Sequence, residues 1–266
     1  NLVIIIKKFI MKIGFIGTGQ ITKAVVTGIL SAKLKVNKIY LSERNKKISK
    51  GLKSKSKKIT IIKNNQEIIN KSNWVFLAVT PRVGEKILHK YHFKSNQTII
   101  SFISTIKMKQ LKKIVKVKAS IVRAIPLPPI SLRKGPVPIF PPNKKVKNFF
   151  NQLGTTVEIK KENSSLNFWS TSGMMAPFYE MLNHMSNWLV KRGIKRDDAQ
   201  KYITSLFVAL SEDSVVKSKK GLKHLVKESQ TPGGLNEQGV KEFKKAGFYR
   251  SIDKTLNSIL KRLKKV

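Results

Sequence analysis

Residues 12–25, KIGFIGTGQITKAV, constrain the fold more than any other stretch of this chain. An apolar run ends in Gly17, Thr18 and Gly19, and a helix-forming segment begins at Gln20. A buried strand that passes through a glycine turn straight into a helix opens a doubly wound α/β sheet. The first half continues the alternation. KIYLSE, ITIIK, WVFLAVT, TIISFIS and ASIVRAIP read as further strands, with helices expected over 20–33, 65–69, 83–91 and Met108–Val115 and a basic helix-like run after KIYLSE. Near-continuous apolar strands separated by helices belong to a parallel sheet covered on both faces, wound by right-handed crossovers. The expectation is an α/β chain. Its N-terminal Rossmann-type doubly wound sheet occupies 11–160, and an all-α C-terminal domain occupies 161–266.

The texture changes after the proline-rich IPLPPISLRKGPVPIFPP. Residues 163–190 carry a single charged side chain, Glu180, in a chain that is 26% charged. A helix that shuns lysine in so basic a chain is expected to be buried on most sides. Glu180, Asn183, His184 and Asn187 argue against a membrane span. Further helices are expected over 196–211, 214–228 and from Leu235 onward. So apolar a helix in so small a domain predicts burial against a second copy, in a homodimer or higher homo-oligomer.

The formal charge is +40, from 54 Lys and Arg against 14 Asp and Glu. Only eight of the cations are Arg, whose planar fork suits base edges and phosphates, and no aromatic-interleaved RNA-binding motif is present. Scattered lysine therefore reads as a solvated surface, without a specific nucleic-acid partner. Cysteine is absent and the four histidines lack ligand spacing, so no metal site is expected. NLVIIIKKFI lacks the order of a signal peptide and is too short to span a bilayer. Because Met11 directly precedes the first strand, residues 1–10 read as an upstream extension. A cytoplasmic protein without a membrane partner is expected.

In GTGQIT, Gly17 permits the tight turn and Gly19 lets the backbone approach a pyrophosphate. The amides from Gln20 and Ile21 onward then face its charge. Thr22 stands where the fingerprint has its third glycine. The second strand ends in YLSERNKK, with Glu43 placed 26 residues after Gly17. A carboxylate there grips a ribose hydroxyl and favours NAD, whereas Ser42, Arg44, Lys46 and Lys47 suit a 2′-phosphate. The balance favours NADP, with NAD possible. Ala78, Val79, Thr80 and Pro81, at the end of the fourth strand, would let the cofactor pass beneath their loop. With Thr18, these residues make up the candidate cofactor site.

The segment ESQTPGGLNEQGVKEFKKAGFYRSIDKTL resembles the C-terminal signature of the pyrroline-5-carboxylate reductase family, S-P-G-G-T-T-x-x-G followed by a helix, G-F and a final helix. Other pieces fall in the same order. GFIGTGQI matches the cofactor loop, LAVTP the family's A-V-K-P, and VRAIPLPP its R-x-M-P-N-T-P, while SGMMAP stands for S-G-S-G-P-A. The resemblance spans almost the whole chain. It implies NAD(P)H-dependent hydride transfer to the C=N carbon of a cyclic imine acid, 1-pyrroline-5-carboxylate being reduced to proline. By position it implies that Thr231, Gly233, Gly234 and Asn236 bind the substrate, at a turn that opens an interface helix. Asn236, Glu180 and His184 are the candidates for proton transfer.

The departures are Leu235–Asn236 for Thr–Thr, Leu127 for Asn, and Met174, Met175 and Ala176 for S-G-P. A bulkier, more apolar site leaves open a relative acting on another imine or oxo acid, and a non-catalytic NADP-binding protein. The related hydroxyacid dehydrogenases use a catalytic Lys on the long helix, and residues 163–190 contain none.

Overall fold

The computed structural model describes residues 10–265, so the extension expected over residues 1–10 lies, apart from Ile10, outside the described residues. The chain divides into two compact units between Trp169 and Ser170.

The first unit is built on strands β1 (Lys12–Ile16), β2 (Lys38–Ser42), β3 (Ile59–Ile62), β4 (Trp74–Leu77), β5 (Thr98–Ser101), β6 (Ser120–Ala124), β7 (Pro136–Phe140) and β8 (Thr155–Glu158). They form one sheet in the order β3-β2-β1-β4-β5-β6-β7-β8. Strands β1 to β6 are parallel. Helices α1 (Gln20–Ser31), α2 (Lys46–Lys53), α3 (Asn65–Lys71), α4 (Pro81–Ile87), α5 (Met108–Val115) and α6 (Lys144–Phe150) run between strands. Successive strand residues serve opposite layers, since side chains alternate across a sheet. Phe15, Trp74 and Phe76 enter one core, whereas Ile16, Val75 and Leu77 enter the other. That is why these strands are apolar throughout. A Cβ on Gly14 would collide with Ile68 and Ser72, so α3 lies directly on β1 there.

The proline-rich segment does more than separate the halves, because it contains β7. Strand β7 pairs antiparallel with β6 and parallel with β8. The carbonyls of Gly135 and Ile139 accept from Thr155 and Ile159 on the β8 side, and that of Pro138 accepts from Ile125 on the β6 side. A strand residue points its N–H and C=O the same way, so Pro136 and Pro138 turn their missing donors toward β6. Pairing with β6 covers only Arg123 and Ala124, so little is lost.

Helix α7 (Glu162–Ser172) contains the division between the units. The second unit continues with α8 (Met175–Val190), α9 (Arg196–Lys217), α10 (Leu222–Glu228), α11 (Leu235–Lys245) and α12 (Phe248–Lys264). Helix α9 runs on through Glu212 and Asp213, where a break was expected. The break comes at Gly221, whose φ of +87° suits glycine. Phe178 of α8 meets Phe207 of α9 edge-on at 5.8 Å, and Phe243 and Phe248 join α11 to α12 at 4.7 Å. Yet α8 is not buried by its own chain. Phe178, Tyr179 and Trp188 remain exposed, and Ser186 is its one buried residue. Among the described residues no helix is long and apolar enough to cross a membrane.

Candidate functional site

The glycine turn is tied down from within. Gly17 adopts φ +102°, and a Cβ on it would sit 2.5 Å from the Ala78 carbonyl at the end of β4. Its N–H donates to Ser42 Oγ at 3.0 Å, and the Thr18 hydroxyl donates to the Ser42 carbonyl at 2.7 Å. Buried Ser42 therefore locks the turn to β2. Thr22 is fully buried, and its hydroxyl donates to the Gly17 carbonyl at 2.7 Å. A threonine is satisfied in place of the third glycine. The close approach of α1 occurs instead at Gly28, where a Cβ would lie 2.5 Å from the Ile130 carbonyl.

A Cβ on Gly19 would meet nothing within 4 Å, so this residue faces open space. Gly19 is the N-cap of α1 and supplies no side-chain acceptor, and the first turn holds no acid. Helices α2, α3 and α6 are capped by Asn45, Asn64 and Asn143. The leading amides of α1, from Gln20 and Ile21, are thus left for an anion.

In front of them lies a cleft of ≈ 610 Å³ lined by residues 17–19, 44–46 and 78–80. A pocket of ≈ 250 Å³ at the ends of β2 and β3 is lined by Ser42, Glu43, Arg44, Lys46, Lys63 and Asn65, together with Gly17, Val79 and Ile87. Three cations here face one carboxylate. Pro81 does not line either space and starts α4. Lys63 and Asn65 were missed by sequence reasoning. Both follow β3 at the same C-terminal sheet edge, the signal that could have found them. The residues present fit a dinucleotide: an open glycine, uncapped amides and a cationic end pocket.

In the second unit Gly233 has φ +71° and Gly234 is the N-cap of α11. The turn is partly closed on itself. The Gly233 N–H donates to Glu237 Oε2 at 2.8 Å, and that of Gly234 to the Thr231 carbonyl at 2.8 Å. The Gly233 amide, then Lys241, hold the Glu237 carboxyl below its usual pKa. The Asn236 side chain donates to the Ser229 carbonyl at 2.9 Å. No side chain caps α11, so the amides of Leu235 and Asn236 remain as its open donors.

Glu180 and His184 lie exposed on α8. Glu180 begins a chain of side-chain contacts to Asn183 at 3.5 Å, Asn183 to Asn187 at 3.2 Å, and Asn187 to Arg196 at 3.1 Å. Neither Glu180 nor His184 is hydrogen-bonded to Asn236, whose amide is engaged within its own turn.

Two family models match. Residues 12–105 match "NADP oxidoreductase coenzyme F420-dependent", and residues 168–266 match "Pyrroline-5-carboxylate reductase dimerisation". The second match marks the helical half as a homo-oligomerisation domain. A pyrroline-5-carboxylate reductase of Haemophilus influenzae is 23% identical over 261 residues, covering 94% of this chain and 95% of that one. The structure of 1-pyrroline-5-carboxylate reductase from Streptococcus pyogenes superposes with a TM-score of 0.82 at 22% identity, covering 96% of this chain and 99% of that chain. That of Plasmodium falciparum pyrroline carboxylate reductase with NADP bound gives 0.81 at 22% identity, over 96% and 97%. With a nucleotide-binding sheet, a helical half that matches the dimerisation model and relatives of that name aligned over nearly their whole length, this chain is similar from end to end to the pyrroline-5-carboxylate reductases.

Proposed function

We propose that the protein reduces 1-pyrroline-5-carboxylate to proline at the expense of NADPH. The observation that carries this reading is the open glycine turn with its uncapped helix, in a chain whose other half matches that family's dimerisation domain. NADPH supplies the hydride that the C=N carbon accepts. The chain's own residues bind and orient. Gln20 and Ile21 amides hold the pyrophosphate, and Gly19 admits it to the backbone. Arg44, Lys46 and Lys63 hold the 2′-phosphate, which supports NADPH over NADH.

The substrate carboxylate is held at the start of α11 by the Leu235 and Asn236 amides, because those of Gly233 and Gly234 are engaged inside the turn. Thr231 supplies the carbonyl that fixes Gly234. Glu180 and His184 are the side chains proposed to hold the proton for the ring nitrogen.

A second reading has its own observation. Leu235 is 86% exposed and the Asn236 side chain is committed to Ser229, so the hydroxyl pair of the family signature has no equivalent here. A site built for one hydrogen-bonding pattern discriminates steeply when that pattern changes. A different cyclic imine acid is the substrate of this second reading.

The test is NADPH oxidation by the purified protein with pyrroline-5-carboxylate, with NADH in parallel and piperideine-carboxylate as the second substrate. Turnover of the five-membered imine preferring NADPH is the expected result. Turnover of the larger ring alone would establish the second reading. Absence of NADPH binding would end both.

A further inference from the structure

Arg123, on β6, is the largest fully buried side chain among the described residues, and no step above uses it. It is 2% exposed. A guanidinium removed from water needs its charge compensated and its donors met. Nη1 donates to Glu162 Oε1 at 2.5 Å and Nη2 to the Ser104 carbonyl at 2.6 Å. The guanidinium carbon lies 4.4 Å from the centre of the Trp169 ring. Nε has no partner. The same oxygen of Glu162 accepts the Met108 N–H at 2.7 Å.

One carboxylate thus joins the first residue of α7, the first amide of α5 and the end of β6. Ser104 lies in segment 102–107, which leaves the C-terminal end of β5 for α5. All the points being held, Trp169 apart, lie at the end of the sheet that carries the glycine turn. With cations gathered beyond β2 and β3, the sheet order leaves the β4-β5-β6 edge for the other half of a dinucleotide. Buried ion pairs can often be exchanged for apolar side chains of similar volume without loss of stability, so stability alone does not account for a guanidinium here. What the forked guanidinium adds is geometry: it fixes a loop carbonyl and, through Glu162, a helix amide in one arrangement.

We infer that Arg123 is a positioning residue for the nicotinamide half of the cofactor, holding segment 102–107 in place without touching the ring. This rests on the NADPH reading above. The test compares wild type with Arg123→Lys, which keeps the charge and loses the fork, and with Glu162→Gln, the milder variant should the first fail to fold. Two affinities are measured by calorimetry: that of 2′-phospho-ADP-ribose, which lacks the nicotinamide, and that of NADPH. The fluorescence enhancement of bound NADPH reports the environment of the ring and needs no turnover.

The expected result is unchanged affinity for 2′-phospho-ADP-ribose, weakened NADPH fluorescence enhancement, and a kcat lowered on the order of 10- to 100-fold. Variants that unfold at lower temperature but retain wild-type NADPH fluorescence and kcat would show an ion pair that serves stability alone, and would overturn the inference. Equal loss of both affinities would overturn it as well, because the effect would then not be confined to one half. Wild-type protein that binds neither molecule would end the NADPH reading itself, a failure visible before any variant is made.

Discussion

Gly17 and Gly19 stand two positions apart and are glycine for opposite reasons. At Gly17 the backbone is in the left-handed region and a side chain would press on Ala78. Gly17→Ala is therefore expected to lower stability by about 1–3 kcal/mol, read as a drop in unfolding temperature. Gly19 has φ −96° and ψ −168°, which any residue adopts, and nothing of the protein lies where its Cβ would be. Gly19→Ala should leave stability unchanged or raise it by up to about 1 kcal/mol through the unfolded chain. Its NADPH affinity should nevertheless fall roughly tenfold or more if the proposed site is right, since the methyl group would stand where that reading brings in the pyrophosphate. An alanine at 19 that binds NADPH normally would remove the ligand from this turn. Both glycines were legible from GTGQIT. The role of Thr22 was not, because its hydroxyl bond to Gly17 depends on how the turn folds back over the helix.

At the scale of elements, the first turn of α11 carries a prediction about pH. The Gly233 amide and Lys241 both favour the ionised form of Glu237, so its pKa lies below the unfolded value of about 4.3. A depressed carboxylate stabilises the folded state fully above the unfolded pKa, and that contribution is lost as pH falls through the folded pKa. The unfolding temperature of Glu237→Gln should accordingly trail wild type at neutral pH and converge with it in acid. Equal gaps at all pH values would disprove the link. Strands β1 to β6 were legible because each is an apolar run bounded by turns. Strand β7 was not, since its prolines are tolerated only by the direction in which they face. The extent of α9 was misread for a related reason: serine and acids punctuate a sequence, but only Gly221 leaves the helical conformation.

At the scale of the molecule, the lysine-poor α8 and the neighbouring α9 leave Trp188, Tyr202 and Val208 at 51%, 62% and 57% exposure in a single chain. Apolar surface of this extent on a domain matching a dimerisation family is expected to be covered by a second copy. Sedimentation should give a dimer or larger species, with an unfolding temperature that rises with protein concentration. Val208→Glu should shift it toward monomer, and a wild-type chain sedimenting as a monomer would contradict the expectation. By itself the sequence determined the sheet's alternation, the glycine turn, the apolar helix and the order of family motifs. All of these are local patterns, written in consecutive residues. Only the tertiary structure decided that Thr22 replaces a glycine through a hydroxyl bond, that Glu237 takes the Gly233 amide, that Lys63 joins Arg44 at one pocket, and that Arg123 is buried against Glu162. Those facts depend on which distant groups fold into contact and on which donors remain free, and neither is encoded in spacing along the chain.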